Sequence, residues 1–213
     1  MVRIKICGLT NLDDARHAAD CGADLLGFIF VPASPRYVSA TLAAGIIAIL
    51  RANGCTAGMV GVFAGEELEM VKTITARCGL DYVQLHGQES TAYARGLDTP
   101  VLVARRVADR IPWDELAEYN AAAYLLDTYR ADAPGGTGAT WNWQALSGAP
   151  EGVRVILAGG LDHTNVATAV ATAERLGVPL WGVDVSSGVE RAPGLKDPDR
   201  VCAFIQAARG ASA

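Results

Sequence analysis

Two peptides near the C-terminus, Leu157-Ala158-Gly159-Gly160-Leu161 and Val183-Asp184-Val185-Ser186-Ser187-Gly188, each place small residues directly after an apolar run. Glycine lets a backbone approach an anion, and the free N–H groups at a helix start face it, so such turns suit a phosphate. Other side chains along the chain are able to move protons or grip a carboxylate. Cys7 carries a thiol whose ordinary pKa is about 8.5, so a modestly electropositive setting yields thiolate near neutral pH, competent as nucleophile or general base. The plain alternative for Cys7 is core packing. Asp127 follows the apolar Tyr124-Leu125-Leu126. A carboxyl at such an edge can be held protonated and deliver a proton, or it can simply cap the next loop. Arg36, presented by Pro35, suits a carboxylate held through two hydrogen bonds, or else a surface salt bridge. His86 reads better as a core or supporting histidine than as a catalytic one, and no second histidine or carboxylate stands at metal-ligand spacing. Asp184 either binds a sugar hydroxyl or satisfies interior polar groups. The glycine run Gly135-Gly136-Thr137-Gly138 lacks the lysine and spacing of a nucleotide P-loop, and no dinucleotide fingerprint follows the first strand.

These residues need a scaffold that brings them together. Eight short β-rich runs recur: Ile4–Cys7, Leu25–Phe30, Ala57–Val62, Tyr82–Leu85, Val101–Arg105, Ala123–Leu126, Val153–Leu157 and Leu180–Val183. Most are nearly continuous apolar stretches, as strands buried on both faces are. Helical patterns lie between them, over Leu12–Cys21 (capped at Thr10-Asn11), Thr41–Ala52, Glu66–Cys78, Asp162–Leu176 and Asp197–Ala208, with a weaker one over Gln88–Arg95. Glu66–Cys78 starts acidic and ends Arg77-Cys78-Gly79, matching the helix dipole and a glycine cap. Strand–helix alternation without a linker predicts one α/β domain over residues 1–213, a (β/α)8 TIM barrel, in preference to an open doubly wound sheet. In such a barrel, function sits at the C-terminal ends of the strands. That places Cys7, Asp127 and the two small-residue turns at one mouth, with Cys7 and Asp127 on strands one and six as base and acid. The expected substrate is a small phosphorylated metabolite.

Composition narrows the classes further. The 213 residues are 51% hydrophobic and carry a formal net charge of −5, which argues against a broad nucleic-acid footprint. The Arg105-Arg106 to Arg110 run reads as a solvated strand end. Five cysteines, an odd number with no CxxC spacing, predict neither a disulfide framework nor a structural zinc site, and fit a reducing cytoplasm. The start, Met1-Val2-Arg3-Ile4-Lys5-Ile6-Cys7, has no apolar signal region, and no run is long enough for a membrane span. A cytoplasmic, unprocessed protein without membrane or nucleic-acid partners is expected. Protein partners and oligomeric state are not indicated.

In order along the chain stand Lys5-Ile6-Cys7-Gly8-Leu9-Thr10, Gly27-Phe28-Ile29-Phe30 with Ser34-Pro35-Arg36, Val60-Gly61-Val62-Phe63, Val83-Gln84-Leu85-His86-Gly87, Leu125-Leu126-Asp127, Gly135-Gly136-Thr137-Gly138, Leu157 to Leu161, and Val183 to Glu190 with Pro193-Gly194 and Lys196-Asp197. This ordered set resembles the phosphoribosylanthranilate isomerases of tryptophan biosynthesis. The resemblance implies an Amadori rearrangement of N-(5-phosphoribosyl)anthranilate to 1-(2-carboxyphenylamino)-1-deoxyribulose 5-phosphate, with no cofactor. It implies that Asp127 protonates the ring oxygen, that Cys7 takes the proton from C2, and that Arg36 holds the anthranilate carboxylate. The phosphate would lie on backbone N–H groups around Gly159, Gly160, Ser187 and Gly188, helped by Gly136 and Gly138. Ala139 and Asn142 depart from the family's usual Lys-Thr-Phe-Asp-Trp after the glycine loop. The related isomerase of histidine biosynthesis uses aspartates after strands one and five, where this chain has Cys7 and Arg105-Arg106. A catalytically silent sugar-phosphate binder would lack the acid–base pair.

Overall fold

Alternation along Arg3-Ile4-Lys5-Ile6-Cys7 sends Ile4 and Ile6 to one face and Lys5 and Cys7 to the other, because successive strand side chains point to opposite sides. In the computed structural model, which describes residues 1–107, 111–128, 146 and 148–211, that division runs through the whole sheet. Eight parallel strands close into a barrel in chain order. They are β1 (Arg3–Cys7), β2 (Leu25–Ile29), β3 (Gly58–Phe63), β4 (Tyr82–Leu85), β5 (Val101–Val107), β6 (Ala123–Thr128), β7 (Val155–Leu157) and β8 (Leu180–Val185). The open-sheet alternative is excluded by β1, which pairs with both β2 and β8.

The outward faces (Ile4, Ile6, Leu26, Phe28, Leu126, Leu157, Val183) pack under the helices as the larger core. The inward faces form a second apolar cluster of Leu25, Val60, Leu102, Leu125, Ile156 and Ala158. Arg3 lies over the Trp181 ring at 4.3 Å, and Tyr82 meets that ring edge-on. The barrel is therefore a packed core in which polar inward positions are few and conspicuous.

The helices are α1 (Leu12–Asp20), α2 (Ala40–Ala52), α3 (Leu68–Cys78), α4 (Thr91–Arg95), α5 (Trp113–Ala117), α6 (Val166–Arg175) and α7 (Pro198–Gly210). Asn11, Ser39, Ser90 and Asp197 cap four of them by accepting backbone N–H groups, as their side chains favour. Of the predicted Thr10-Asn11 cap, Asn11 does the capping, while the Thr10 hydroxyl donates to Gly194 O. Three starts shift inward from the expected positions, the first at α4, which begins at Thr91 rather than Gln88 because Ser90 accepts from Tyr93 N. Glu66 spends its carboxylate on Ala64 N, so α3 begins at Leu68. Asp162 and Asn165 fold into a side-chain-locked turn, so α6 begins at Val166. An antiparallel pair, β9 (Glu190–Ala192) and β10 (Leu195–Lys196), follows a 3-10 turn at Ser187–Val189 and has no counterpart in the sequence reading.

The cysteine expectation needs a correction. Cys21 and Cys202 form a disulfide, with His17 beside them. Their separation of 181 residues hides the pairing in the sequence, because α1 and α7 become neighbours only when β1 meets β8. Among the described residues, no helix is long and apolar enough to cross a membrane.

Candidate functional site

Period-two alternation aims Lys5 and Cys7 of β1, Gln84 of β4, Asp127 of β6 and Asp184 of β8 into the barrel, with His86 just beyond β4 in the same phase. Cys7, His86, Asp127 and Asp184 lie at the C-terminal ends of their strands, as expected. Lys5 and Gln84 sit one layer deeper, each about 1% exposed.

Lys5 Nζ donates to Asp184 Oδ1 at 2.7 Å, and the two residues are register partners across the β1–β8 seam. Burial works to lower the Lys5 pKa, but Asp184, and then Cys7, outweigh it and hold the ammonium above its ordinary range. Gly27 of β2 makes room for this cluster: a Cβ there would lie 2.9 Å from Cys7 Sγ and 3.2 Å from Lys5 Nζ.

Cys7 is buried, and its thiol differs from the sequence expectation. Burial pushes its pKa up, Lys5 and Lys196 pull it down, and the net shift is upward. The electropositive setting exists, but desolvation wins over it.

Gln84 Nε2 lies 3.2 Å from His86 Nδ1, so the ring turns its other nitrogen, Nε2, toward β6. That nitrogen stands 3.8 Å from Asp127 Oδ2. Burial holds the imidazole pKa below its ordinary value despite Asp127, so the ring is neutral near pH 7. Lys5, Asp184 and Arg106 also act on it, so groups from β1, β4, β5, β6 and β8 share one electrostatic field. The predicted solvated arginines divide: Arg106 is exposed, while Arg105 stacks over Tyr119 at 4.8 Å.

Arg36 crosses to this end of the barrel over Gly8. A Cβ on Gly8 would lie 2.7 Å from Arg36 Cδ, and Gly8 has φ +76°, a backbone glycine tolerates at little cost. The two sequence readings of Arg36 were a carboxylate clamp and a surface salt bridge. The structure shows a bidentate pair with Glu190: Nε donates to Oε1 at 2.8 Å and Nη2 to Oε2 at 2.7 Å. It is no surface pair, because Glu190 is buried and also accepts from Lys196 Nζ at 2.9 Å. Burial would raise the Glu190 pKa, but Arg36 and Lys196 together hold it below its ordinary value. For Lys196 the balance reverses, and burial pulls the ammonium down in spite of Glu190.

The small-residue turns stand side by side. A Cβ on Gly188 would strike Leu161 O, so only glycine lets the β7 and β8 turns approach this closely. Gly159 and Gly160 have φ +80° and +65°, and their N–H groups donate to no partner among the described residues. Asn165 Nδ2 occupies the Gly160 carbonyl at 2.9 Å, turning the acceptor away from an incoming anion. Ser187 opens the 3-10 turn beside them. Ser186 Oγ is buried near Gly8 and has no hydrogen-bond partner among the described residues. The expected contributions of Gly136 and Gly138, and the departures at Ala139 and Asn142, lie outside the described residues.

Sequence reasoning missed Lys5, Gln84, Glu190 and Lys196 as members of the site. Lys5 had a signal, since it shares its strand face with Cys7. Glu190 and Lys196 had none, because the β9–β10 pair that carries them is too short to show a period.

The N-(5'-phosphoribosyl)anthranilate (PRA) isomerase family model matches residues 4–207 of the chain. An N-(5'-phosphoribosyl)anthranilate isomerase of Geobacter sulfurreducens is 46% identical over 210 residues, covering 99% of this chain and all of that protein. One from Pelobacter propionicus is 44% identical over 209 residues, covering 98% of this chain and 96% of that protein. The crystal structure of phosphoribosyl anthranilate isomerase from Thermotoga maritima superposes with a TM-score of 0.87 at 36% identity, covering 99% of this chain and 100% of that one. A phosphoribosyl anthranilate isomerase complexed with reduced 1-(o-carboxyphenylamino)-1-deoxyribulose 5-phosphate superposes at 0.85 and 35% identity, with the same coverage.

Two outcomes test the electrostatics. Lys5→Met leaves the half-buried Asp184 without its counter-charge and should cost up to about 3 kcal/mol in urea unfolding, with part recovered by adding Asp184→Asn. An unchanged urea midpoint would show that the pair carries no such weight. A depressed Glu190 pKa adds stability above the ordinary glutamate pKa of about 4.3 that is lost as pH falls through the folded-state value. Glu190→Gln should therefore flatten the stability–pH curve between about pH 5 and 3 relative to wild type.

Proposed function

The chain belongs to the N-(5'-phosphoribosyl)anthranilate isomerase family, isomerases of tryptophan biosynthesis, and from that premise we propose that Cys7 is its general base and Asp127 its general acid. The observation that carries this reading is the shared inward face. A thiol and a carboxyl project from β1 and β6 into one mouth, with His86 beside the carboxyl and Lys5 beneath the thiol.

Asp127 in its acid form protonates the furanose ring oxygen. The substrate's anilino nitrogen pushes its lone pair onto C1, the C1–O bond breaks, and an iminium results. The Cys7 thiolate then removes the C2 proton, giving an enolamine. Protonation at C1 and collapse of the C2 enol to a ketone give the product, with no net gain or loss of protons. Lys5 favours the thiolate by opposing the cost of burying it. Because burial raises the thiol's pKa, the thiolate is a stronger base but a minor species near neutral pH. Neutral His86 positions Asp127 without adding a charge, and Asp184 fixes Lys5.

Binding follows the same mouth. The phosphate lies on the N–H groups of Gly159 and Gly160 and on the Ser187-Gly188 turn, where no acceptor among the described residues competes for the glycine pair. Arg36 takes the anthranilate carboxylate through the guanidinium hydrogens that Glu190 leaves unused. The ligand of the related complex, with a carboxylate at one end and a phosphate at the other, supports this arrangement.

Freshly made phosphoribosylanthranilate, followed by loss of its fluorescence, tests the assignment. Asp127→Asn should lower kcat by about 10³-fold with little change in affinity for a product analogue. Turnover near wild type would remove it as the acid. For wild type, kcat/KM should climb as pH rises from neutral, because the thiolate fraction grows toward the raised Cys7 value. Cys7→Ser should lose that limb together with most of the activity. Arg36→Met should act mainly by raising KM, about 10- to 100-fold for a lost charged pair. An unmoved KM would place the carboxylate elsewhere.

A further inference from the structure

We propose that Cys21 and Cys202, assisted by His17, form a thiol–disulfide exchange site that reversibly staples the first helix to the last. Cys21 caps the C-terminus of α1, and Cys202 lies in α7. Their Cα atoms are 5.4 Å apart, inside the range of about 4.4–6.8 Å that a disulfide spans without backbone movement. Both cysteines are half-buried, so a small thiol or disulfide can reach them. Cys7, Cys55 and Cys78 have no such partner, and Cys7 and Cys78 are buried.

His17 makes the pair more than a static cross-link. Its Nε2 lies 3.3 Å from Cys21 Sγ and 3.4 Å from Cys202 Sγ. The same nitrogen is 3.0 Å from Pro198 O. A carbonyl oxygen only accepts, so Nε2 carries a hydrogen. In the linked state that hydrogen goes to Pro198 O, and once the sulfurs separate the same N–H is within reach of a thiolate, the form that attacks disulfides. The geometry also decides between two uses of the trio. His17, Cys21 and Cys202 place three metal-type donor atoms within 4.8 Å of one another. With its hydrogen on Nε2, His17 must change tautomer to ligate a metal, whereas exchange needs no such change.

The co-reactant is a low-molecular-weight disulfide. One thiolate of the pair attacks it, forming a mixed disulfide and releasing one small thiolate. The second protein thiolate then attacks the mixed disulfide and releases the other. Two protein thiols are oxidised, one small disulfide is reduced to two thiols, and the protein's two protons pass to them. The staple joins the outer helices α1 and α7, outside the strands that carry Cys7 and Asp127. It should act on stability and leave turnover unchanged.

The test incubates the fully reduced chain in reduced and oxidised glutathione mixtures. Peptide mapping without reductant should find Cys21 linked to Cys202, with Cys7, Cys55 and Cys78 free. The Tm of the oxidised wild type should exceed that of the reduced wild type by about 10 °C, because the link closes a very long loop. That comparison needs no substitution. Cys202→Ser should abolish the difference, and His17→Gln should slow linkage about tenfold. No linkage in oxidised glutathione, linkage through Cys55 or Cys78, or an unchanged rate in His17→Gln would overturn the proposal. So would one zinc ion bound by the reduced protein, lost in His17→Gln, that blocks oxidation.

Discussion

The Lys5–Asp184 ion pair lies where the first strand of the barrel meets the last, and the site is arranged around that seam. The two residues are register neighbours, their charged atoms 2.7 Å apart, and Lys5 is almost fully buried. An isolated ammonium at that depth would be costly, and an uncompensated one would leave the interior or lose its proton. Paired with Asp184 it keeps its charge, directly beneath Cys7. The seam also brings the chain's two ends together. Asp14 accepts from Lys196 N, Thr10 donates to Gly194 O, and Arg36 reaches Glu190, contacts that span more than 150 residues.

Burial and charge compete at Lys5, Cys7, His86 and Glu190, and the winner differs. At Cys7 and His86 desolvation dominates, giving a thiol that is harder to ionise and an imidazole that stays neutral. At Lys5 and Glu190 the partner charges dominate, and both stay ionised. The difference follows from partner number and distance. Glu190 receives three charge-assisted hydrogen bonds at 2.7–2.9 Å from Arg36 and Lys196, whereas His86 stands 3.8 Å from Asp127. Several direct hydrogen bonds repay the desolvation of Glu190, whereas the longer contact at His86 does not, and the single carboxylate facing Lys196 does not either. The mouth thus holds permanent charges that fix geometry, next to groups whose protonation is free to change during a reaction.

Much of this was legible in the sequence for physical reasons. Apolar runs of strand length alternating with amphipathic helices admit few closed solutions, and the barrel is the one found. The C-terminal ends of the strands put Cys7 and Asp127 at one mouth, and the small residues after the last two apolar runs marked turns where a backbone can approach an anion. The Thr10-Asn11 pair announced the start of α1 through the hydrogen-bonding capacity of Asn11. Local rules of this kind depend on neighbours in the chain, and the chain displays them.

What only the tertiary structure decided depends on residues far apart in sequence. The strength of Cys7 as an acid turned on how deeply closure buries it, which no spacing reveals. Arg36 looked like a clamp awaiting a carboxylate, and the fold supplies one of its own, Glu190, from a β9–β10 hairpin too short to carry a period. The Cys21–Cys202 pair was invisible for the same reason, since a separation of 181 residues closes only when the barrel does. The sequence by itself determined the architecture, the mouth and the types of group that line it. Closure determined which charges meet and which are desolvated, because Coulomb and solvation energies depend on distance and depth in space.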